Sequence, residues 1–250
     1  MRGRRAPVPA DDGASAPGVL ITGAAGGLGS ALVNAFHSAG WRVVAGVRAR
    51  ALDDPKRLHG TVSLDLTDEE SVSTGVRRAR ELCGGRLDAM VCNAGIARDG
   101  AVWQLSSEDW DDVMEVNLKG SWRCARHAAA VMAAQGGGHI LLVSSFAGRQ
   151  GTRGQSNYAA SKAGLIGMGL AVARELGAAN VRVNMVLPGL LKTPMTASMD
   201  PGALEHAVAQ NALGRINDLS EVASFIAFLA GLRNVSGQLF QLDSRIPPWT

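Results

Sequence analysis

Short apolar segments alternate with longer amphipathic segments from Gly18 onward, and this alternation is the dominant pattern of the sequence. The apolar segments are continuous rather than alternating in polarity, which is typical of strands covered on both faces. They predict strands at Val19–Thr22, Arg42–Val47, Thr61–Asp65, Ala89–Cys92, His139–Ser144, Arg182–Val186 and Gln238–Leu242. The longer segments predict helices at Gly29–Ala39, Asp68–Leu82, Ser107–Gln135, Tyr158–Leu176, Pro201–Ala212 and Ser220–Ala230.

This succession of strands and helices indicates βαβ units and a parallel sheet. The predicted fold class is α/β, a single Rossmann-type doubly wound domain with about seven parallel strands and helices on both faces. A length of 250 residues agrees with one domain, because single cores stop growing near roughly 250–300 residues. We expect the domain over residues 18–250. Residues 1–17, with Arg2, Arg4 and Arg5 among Pro, Gly and Ala, are expected to form a disordered tail.

Two local patterns add detail to this organisation. The segment Pro188–Asp200 is rich in Pro, Thr and Met, and it predicts a mobile loop over a site. Asp218, followed three residues later by Glu221, predicts a capping box at the start of the last helix.

Charge and composition narrow the classes of partner. The net charge is +3, and outside the tail the basic residues are neither clustered nor interleaved with aromatic residues, which argues against nucleic-acid binding. No apolar run reaches the ~20 residues of a membrane span, and the N-terminal segment lacks the apolar core of a signal peptide. We therefore expect neither a nucleic acid nor a membrane as partner.

The cysteines and histidines show no metal-binding or disulfide pattern. Cys83, Cys92 and Cys124 lie 9 and 32 residues apart, so we interpret them as buried reduced thiols in a cytoplasmic protein. The histidines are interpreted as structural or solvated, and no metal is expected. They are His37, His59, His127, His139 and His206.

A glycine-rich turn, Thr22–Gly29, connects the first predicted strand to the first predicted helix. We assign Gly23, Gly27 and Gly29 to a tight turn, to close approach of the backbone to a pyrophosphate, and to exposure of the helix N-terminus. Glycine-rich strings also arise by chance in a chain with 31 glycines. The position between strand and helix favours dinucleotide binding.

The end of the second strand bears on the choice of dinucleotide. An acid there would accept hydrogen bonds from the ribose of NAD and repel the 2′-phosphate of NADP. The sequence has Arg48 instead, with Arg50 behind it, and a guanidinium matches a phosphate. NADPH is therefore favoured; the alternative is that Arg48 is a solvated loop residue.

Tyr158 and Lys162 are four residues apart at the start of a predicted helix, so they project from one face. Tyr158 is the single tyrosine of the chain. A free phenol has a pKa of about 10, and acid–base work near neutrality would need a lowering of about 3 units, to which the Lys162 ammonium would contribute. Taken alone, the spacing is also that of an ordinary surface pair.

The chain resembles the classical short-chain dehydrogenase/reductases across nearly all of residues 18–243. Seven motifs occur in the family's order, and Ser145 lies thirteen residues before Tyr158. The motifs are Thr22–Gly29, Asp65-Leu66, Asn93–Gly95, Asn117 within Val116–Gly120, Ser144-Ser145, Tyr158 with Lys162, and Pro188-Gly189 with Thr193.

The resemblance implies roles for these residues. Tyr158 would give its proton to a substrate carbonyl oxygen as hydride arrives from the nicotinamide, and Ser145 would hydrogen-bond that oxygen. Lys162 would bind the nicotinamide ribose and keep Tyr158 acidic, while Asn117 would hold a water of a proton relay. The implied cofactor-binding residues are Thr22, Gly23, Gly27, Leu28, Gly29, Arg48, Asp65, Leu66, Asn93, Ala94, Gly95, Tyr158, Lys162, Pro188, Gly189, Leu191 and Thr193.

Within the family, Asn93–Gly100, Trp110–Asn117 and Gly154–Leu165 look most like 3-oxoacyl-acyl-carrier-protein reductases. The resemblance implies NADPH-dependent reduction of a 3-oxoacyl thioester in fatty-acid or polyketide biosynthesis, by a homotetramer. A coenzyme A thioester or a free ketone stays open as substrate, because the basic residues that such reductases carry for an acyl carrier protein are missing. Arg98, Arg149, Arg153 or Arg174 would have to serve. A non-catalytic nucleotide-sensing protein is the alternative from another class.

Two departures from the family pattern stand out. Cys92 occupies the position of a first Asn, so one hydrogen bond near the adenine is expected to be missing. Ser244 and Arg245 replace the glycines of the usual C-terminal Asp-Gly-Gly. This replacement is expected to change the turn and to direct Pro247-Pro248-Trp249 across a neighbouring subunit.

Overall fold

The computed structural model of the protein describes residues 16–48, 55–194, 196–197, 199 and 201–246. Within them, seven strands form one sheet in the order β3-β2-β1-β4-β5-β6-β7. Every neighbouring pair is parallel. The strands are β1 Gly18–Thr22, β2 Arg42–Val47, β3 Gly60–Ser63, β4 Ala89–Cys92, β5 Gly138–Val143, β6 Val181–Leu187 and β7 Leu239–Gln241.

Helices cover both faces of this sheet, with 3₁₀ turns at Pro55–Arg57 and Gly177–Ala179. The α-helices are α1 Gly27–Ser38, α2 Glu69–Leu82, α3 Ser107–Val113, α4 Gly120–Ala134, α5 Ala147–Gln150, α6 Ser156–Leu176, α7 Pro201–Ala209 and α8 Leu219–Gly231. The predicted doubly wound α/β fold is confirmed. The four-residue helix α5 was not predicted, since so short an element has no periodic signal.

Two apolar cores, one on each face, hold the layers together. Val19 and Ile21 of β1 belong to the core that includes α1 and α8. Leu20 belongs to the opposite core, with side chains of α2 and α4. All five residues of β1 are buried, so the continuous apolar pattern arises because both faces of the strand are covered.

The predicted helix Ser107–Gln135 is wrong as a single element. The structure has α3, then a π-helical turn at Met114–Lys119, then α4. The hydroxyl of Ser121 donates to the carbonyl of Asn117 at 2.7 Å, which satisfies a backbone group in the widened turn. A π turn inserts one residue without changing the amphipathic pattern much, so periodicity alone does not reveal it.

The strand order reverses direction between β1 and β4, the switch point at which ligands bind in open α/β sheets. The carboxyl ends of these strands therefore mark the crevice of interest. The Thr22–Gly29 turn and Asn93–Gly95 both lie there, because they directly follow β1 and β4.

Two local sequence patterns, the capping box at Asp218 and the Pro188–Asp200 segment, can be compared with the structure. The Asp218 carboxylate accepts from the backbone N–H groups of Ser220 and Glu221, at 2.8 and 3.0 Å. Its own N–H donates to the Asn217 side chain rather than to Glu221, so the cap is one-sided. In the Pro188–Asp200 segment, Thr196 donates to the carbonyl of Leu191 at 2.6 Å.

The three cysteines are buried and free, as predicted. None of the helices in the described part of the chain is long and apolar enough to cross a bilayer. Residues 1–15, Arg50 and Pro247-Pro248-Trp249 lie outside the described residues, as do the predictions made for them.

Candidate active site

The turn after β1 has the geometry that close approach requires. Gly23 has a φ of +63°, and a Cβ at Gly29 would lie 2.1 Å from the carbonyl oxygen of Gly23. A Cβ at Gly27 would lie 2.8 Å from the Thr193 methyl group, so the turn also touches the loop after β6. The tight packing predicted for these glycines is present.

Helix α1 begins inside the Thr22–Gly29 segment. It starts at Gly27, its cap residue Gly26 makes no side-chain capping bond, and Leu28 is buried beneath the first turn. The first N–H groups of a helix have no partner within the helix, and they favour an anion. The glycine turn and helix terminus together fit a pyrophosphate.

Hydrogen bonds join the ends of β1 and β4 behind this turn. The hydroxyl oxygen of Thr22 accepts from the N–H groups of Asn93 and Ala94, each at 3.0 Å. The Asn93 side chain donates to the Thr22 carbonyl at 3.0 Å. Cys92, beside them, faces α4 and the carbonyl of Ser121. Asn93 therefore supports the turn although Cys92 replaces an Asn.

Arg48 and Asp65 lie at the carboxyl ends of the paired strands β2 and β3. Hydrogen bonds from the N–H and hydroxyl of Thr67 lower the pKa of Asp65, and the nearby Arg48 guanidinium adds a smaller attraction. Leu66 is buried, and its carbonyl accepts from Arg123 of α4 at 2.9 Å. Arg48 is exposed at the edge of this group, where it can meet a phosphate.

Ser145 reaches the site from the sheet, because it follows β5 by two residues. The hydroxyl of the preceding Ser144 donates to the Lys162 carbonyl at 2.7 Å. Gly148 of α5 packs so closely on α6 that a Cβ would lie 2.5 Å from the Lys162 carbonyl carbon. These contacts fix the Ser145 loop against the helix that carries Tyr158 and Lys162.

The environment of Tyr158 differs from the sequence expectation. Burial raises the pKa of the phenol, a side-chain hydrogen bond from Ser145 opposes this rise, and the Asp99 carboxylate adds to it. The lowering expected from Lys162 is therefore not found in the protein alone. The phenol is held in its protonated form next to Ser145.

Lys162 is almost completely buried, and its ammonium is engaged with a backbone carbonyl rather than with the phenol. Its ammonium donates to the carbonyl of Val143 at 2.9 Å, and the ammonium nitrogen lies 5.6 Å from the Tyr158 ring centroid. Burial lowers the pKa of Lys162 to about 8, since the charged form loses solvation. The ammonium is thus bonded to a backbone carbonyl, and it loses its proton at a lower pH than an ordinary lysine does.

Asn117 is placed by the π turn and is completely buried. Its side-chain oxygen accepts from the N–H of Ile96 at 2.8 Å, and its nitrogen donates to the Ile96 carbonyl and to Ser161. Both amide hydrogens are used, but a second lone pair of the oxygen remains. That oxygen and the Lys162 ammonium both face Gly95, at 3.2 and 3.4 Å from the position of a Cβ there.

The loop after β6 lies against the glycine turn and borders the crevice on that side. The Asn217 side chain donates to the Pro188 carbonyl at 2.9 Å, and Leu191 forms a bridge with Asn217. Leu191 is buried, and Thr193 contacts Gly27. The structure thus brings Pro188, Leu191 and Thr193 to the rim of the crevice that holds the glycine turn.

Asn157 is a buried polar residue beside Tyr158 that the sequence motifs do not predict as part of the site. It is buried, its oxygen accepts from the Tyr158 N–H at 2.7 Å, and its nitrogen donates to the Arg98 carbonyl at 3.0 Å. It therefore fixes the start of α6 against the loop after β4. The N-cap of α6 is Gln155 and Asn157 lies one residue inside the helix, so no capping signal marks it in the sequence.

The sequence of the chain is similar to those of known proteins. A family model described as enoyl-(acyl carrier protein) reductase, a short-chain dehydrogenase model, matches residues 23–244. The chain belongs to the short-chain dehydrogenase/reductase family. It is an oxidoreductase that acts on carbonyl or hydroxyl groups.

Individual relatives cover most of the chain. The 3-oxoacyl-[acyl-carrier-protein] reductase of Thermotoga maritima is 41% identical over 234 residues, 90% of this chain and 95% of the relative. The Escherichia coli protein of the same name is 34% identical over 216 residues, 84% of this chain and 88% of the relative. An uncharacterized oxidoreductase of Mycobacterium bovis is 42% identical over 218 residues, with the same shares covered.

The short-chain dehydrogenase/reductase family implies a nicotinamide cofactor, and the residues present fit one. The glycine turn has no room for side chains at Gly23 or Gly29, and α1 begins without a side-chain cap. Tyr158, Lys162 and Ser145 come together beside the same crevice. Among the described residues, no group of three or more His, Cys, Asp or Glu side chains could hold a metal ion.

Proposed function

We propose that this protein reduces a 3-oxoacyl thioester to the 3-hydroxyacyl product with NADPH. The observation that carries the proposal is the convergence of Ser145, Tyr158 and Lys162 at the carboxyl end of β5, where the Ser145 hydroxyl is close enough to lower the pKa of the Tyr158 phenol. Two hydroxyl groups that meet at one point can both donate to a single carbonyl oxygen. The relatives named 3-oxoacyl-[acyl-carrier-protein] reductase support this substrate class.

The roles of the side chains follow from their protonation. When bound, the nicotinamide cofactor supplies the hydride. Ser145 donates a hydrogen bond to the substrate oxygen and stabilises the charge that develops there. Tyr158 transfers its proton to that oxygen, and its raised pKa keeps the proton available at neutral pH. The Lys162 ammonium, with its pKa lowered to about 8, returns a proton to Tyr158, and the Asn117 oxygen beside Gly95 accepts a hydrogen bond in that relay.

The preference for NADPH rests on Arg48. This exposed guanidinium lies at the end of β2, beside Asp65. Asp65 accepts hydrogen bonds from Thr67. It also follows β3, whereas the acid that favours NAD over NADP is expected at the end of β2. A phosphate on the ribose would gain a charge-assisted, bidentate partner in Arg48.

Four arginines are the candidates for binding an acyl carrier protein. Arg98 forms long ion pairs with Asp109 and Asp112, at 3.8 and 3.9 Å, and Arg149 donates to Gln241. Arg153 and Arg174 are exposed. An acyl carrier protein would have to bind these scattered cations, so a coenzyme A thioester or a free ketone is the alternative substrate.

A substrate panel tests the proposal directly. NADPH oxidation is followed with one 3-oxoacyl group on an acyl carrier protein and on coenzyme A, with a 2-enoyl thioester, and with a free ketone. We expect turnover of at least one 3-oxoacyl thioester. Inactivity on both 3-oxoacyl thioesters would overturn the proposal, and activity on the enoyl thioester alone would assign double-bond reduction instead.

A conservative variant separates the enzyme from a nucleotide-sensing protein without turnover. Tyr158→Phe removes the proposed proton donor and keeps the ring in place. We expect NADPH binding within about twofold of the wild type, measured by fluorescence, and loss of most turnover. Unchanged NADPH consumption in the variant would exclude Tyr158 as the acid.

We further propose that the protein acts as a cytoplasmic homotetramer. Trp122 of α4 and Leu170 of α6 are partly exposed apolar residues on two neighbouring helices. Closed symmetry is the norm among soluble oligomers. Light scattering tests the assembly, and a monomeric mass at working concentration would contradict it.

A further inference from the structure

The chain beyond β7 folds back over the loop that carries Ser145. The guanidinium carbon of Arg245 lies 3.7 Å from the ring centroid of Phe146, the residue next to Ser145. Phe146 is buried, and the Arg245 side chain is only 13% exposed. The Arg245 cation is therefore stacked on a ring that is largely shielded from water, a geometry in which the cation–π attraction is strongest.

Asp243 holds the Arg245 guanidinium in place. Nε of Arg245 donates to Asp243 Oδ2 at 2.6 Å, and a second guanidinium nitrogen pairs with the same oxygen. The other carboxylate oxygen accepts from the Gln241 side chain at 2.7 Å. The Asp243 side chain is only 2% exposed. A buried ion pair is stable only when hydrogen bonds also satisfy its remaining polar atoms, and the bond from Gln241 contributes to this.

The same segment also contacts the loop after β6 and the chain after α7. A Cβ at Gly189 would lie 2.7 Å from the Asp243 Cβ, so the two backbones are in close contact. Ser244 accepts from the N–H of Ala212 at 3.1 Å, and Arg245 forms a bridge with Asn211. Residues 243–245 therefore connect the Ser145 loop, the loop after β6 and the chain after α7.

This arrangement departs from the family pattern, because the usual ending has glycines at 244 and 245, which have no side chain to stack or pair. We propose that Arg245 is a positioning residue. It acts through Phe146 to fix the Ser145 hydroxyl relative to Tyr158, and it touches neither substrate nor cofactor. The inference rests on the role of Ser145 in the proposed function.

A double-mutant cycle tests whether Arg245 acts through Phe146. The variants are Arg245→Met, Phe146→Leu and the double variant, with Arg78→Met as control. Arg78 is an exposed arginine of α2 paired with Glu81, so its replacement removes the same charge far from the site. We expect Arg245→Met to lower kcat about tenfold and to change the NADPH Kd less than twofold. The double variant should be no worse than Phe146→Leu alone.

A second readout needs no substrate. The hydrogen bond from Ser145 lowers the pKa of Tyr158, so displacement of Ser145 should raise the pKa of the single tyrosine, followed by ultraviolet titration. Arg245→Lys keeps the charge but loses the planar stack, and we expect an intermediate kcat. A purely structural role would reduce thermal stability and leave both the phenol titration and the ratio of kcat to NADPH affinity unchanged.

The outcomes separate this inference from the proposed function. If the wild type turns over no 3-oxoacyl thioester, the proposed function fails, while the titration still tests the position of Ser145. The inference is overturned if Arg245→Met leaves the Tyr158 titration unchanged, or if its effect on kcat is within twofold of the wild type. Additive effects in the cycle would also overturn it, because they would show that Arg245 acts independently of Phe146.

Discussion

The side-chain amide of Gln155 donates to both carboxylate oxygens of Asp99, at 3.0 and 3.1 Å. Gln155 precedes α6, and Asp99 lies in the loop after β4. The contact holds a negative charge near Tyr158, where it reinforces the effect of burial in raising the pKa of the phenol. The protonation of the proposed acid thus depends on a residue outside the family motifs.

Replacement of Asp99 by Asn should lower the pKa of Tyr158. The variant removes the charge and keeps the shape, so the repulsion that disfavours the phenolate disappears. Because the chain has one tyrosine, ultraviolet titration reports this group alone. The alkaline limb of the reduction profile should move to lower pH in parallel.

Asp111→Asn is the matched control for this experiment, since Asp111 is an exposed acid of α3 and the change in net charge is the same. We expect no displacement of the phenol titration in the control. An equal displacement in both variants would mean that net charge, and not the Gln155–Asp99 contact, sets the pKa of Tyr158.

The cofactor preference should respond to Arg48→Asp. The variant replaces a phosphate-binding cation with an acid that repels the 2′-phosphate and accepts from a ribose hydroxyl. Hydrogen bonds to charged groups contribute about 1.5–3 kcal/mol, so the ratio of kcat/KM for NADPH over NADH should fall about 10- to 100-fold.

Arg77→Asp controls for the reversal of charge, because Arg77 lies on the exposed side of α2 and contacts Thr74. Steady-state kinetics with both cofactors provide the measurement. A ratio that stays at the wild-type value in Arg48→Asp would remove Arg48 as the determinant and favour its interpretation as a solvated loop residue.

The fold could be predicted well because its signals are local. β2 and β4 have the predicted bounds, since buried parallel strands are continuous apolar runs between turns. The motif residues at the carboxyl ends of β1 and β4 come together as expected, because parallel strands end at one edge of the sheet. Sequence order and strand direction suffice for that inference.

The rest depends on contacts between distant parts of the chain. The stack of Arg245 on Phe146 joins residues that are far apart in sequence, and no periodic pattern marks it. The pKa of Tyr158 depends on burial and on Asp99, neither of which the four-residue spacing to Lys162 reveals. Side-chain environment, unlike topology, requires the packed structure.

Gly29→Ala should disrupt the glycine turn. Its new methyl group would lie 2.1 Å from the Gly23 carbonyl oxygen, so the backbone must move, at a cost of about 1–3 kcal/mol. NADPH binding should be lost or weakened more than tenfold, measured by fluorescence titration, and the free energy of unfolding should fall.

Gly231→Ala provides the control, because a Cβ at the last residue of α8 has no atom within 4 Å. This variant should keep NADPH affinity and gain up to about 1 kcal/mol in stability. If Gly29→Ala binds NADPH as tightly as the wild type, the turn does not approach the pyrophosphate.

His139 makes the folded protein sensitive to acid far from the site. It is completely buried, the Asn184 side chain donates to its Nε2 at 2.8 Å, and its Nδ1 faces the Ala230 carbonyl at 3.3 Å. This arrangement requires a neutral ring with the proton on Nδ1. Burial and the charge of Arg182 lower the pKa of His139 to about 3.

The unfolded chain binds a proton at His139 below pH about 6.5, whereas the folded protein does not until about pH 3, so stability is lost as the pH falls through this window. Between pH 7.5 and 5 the loss in the free energy of unfolding should be about 2 kcal/mol.

His139→Asn should be less stable at pH 7.5 but should lack this part of the slope of stability against pH. Denaturant unfolding followed by tryptophan fluorescence measures it. His37→Asn, at an exposed position of α1, should keep the slope. An identical slope in wild type and His139→Asn would show that His139 is not the group that makes the fold acid-sensitive.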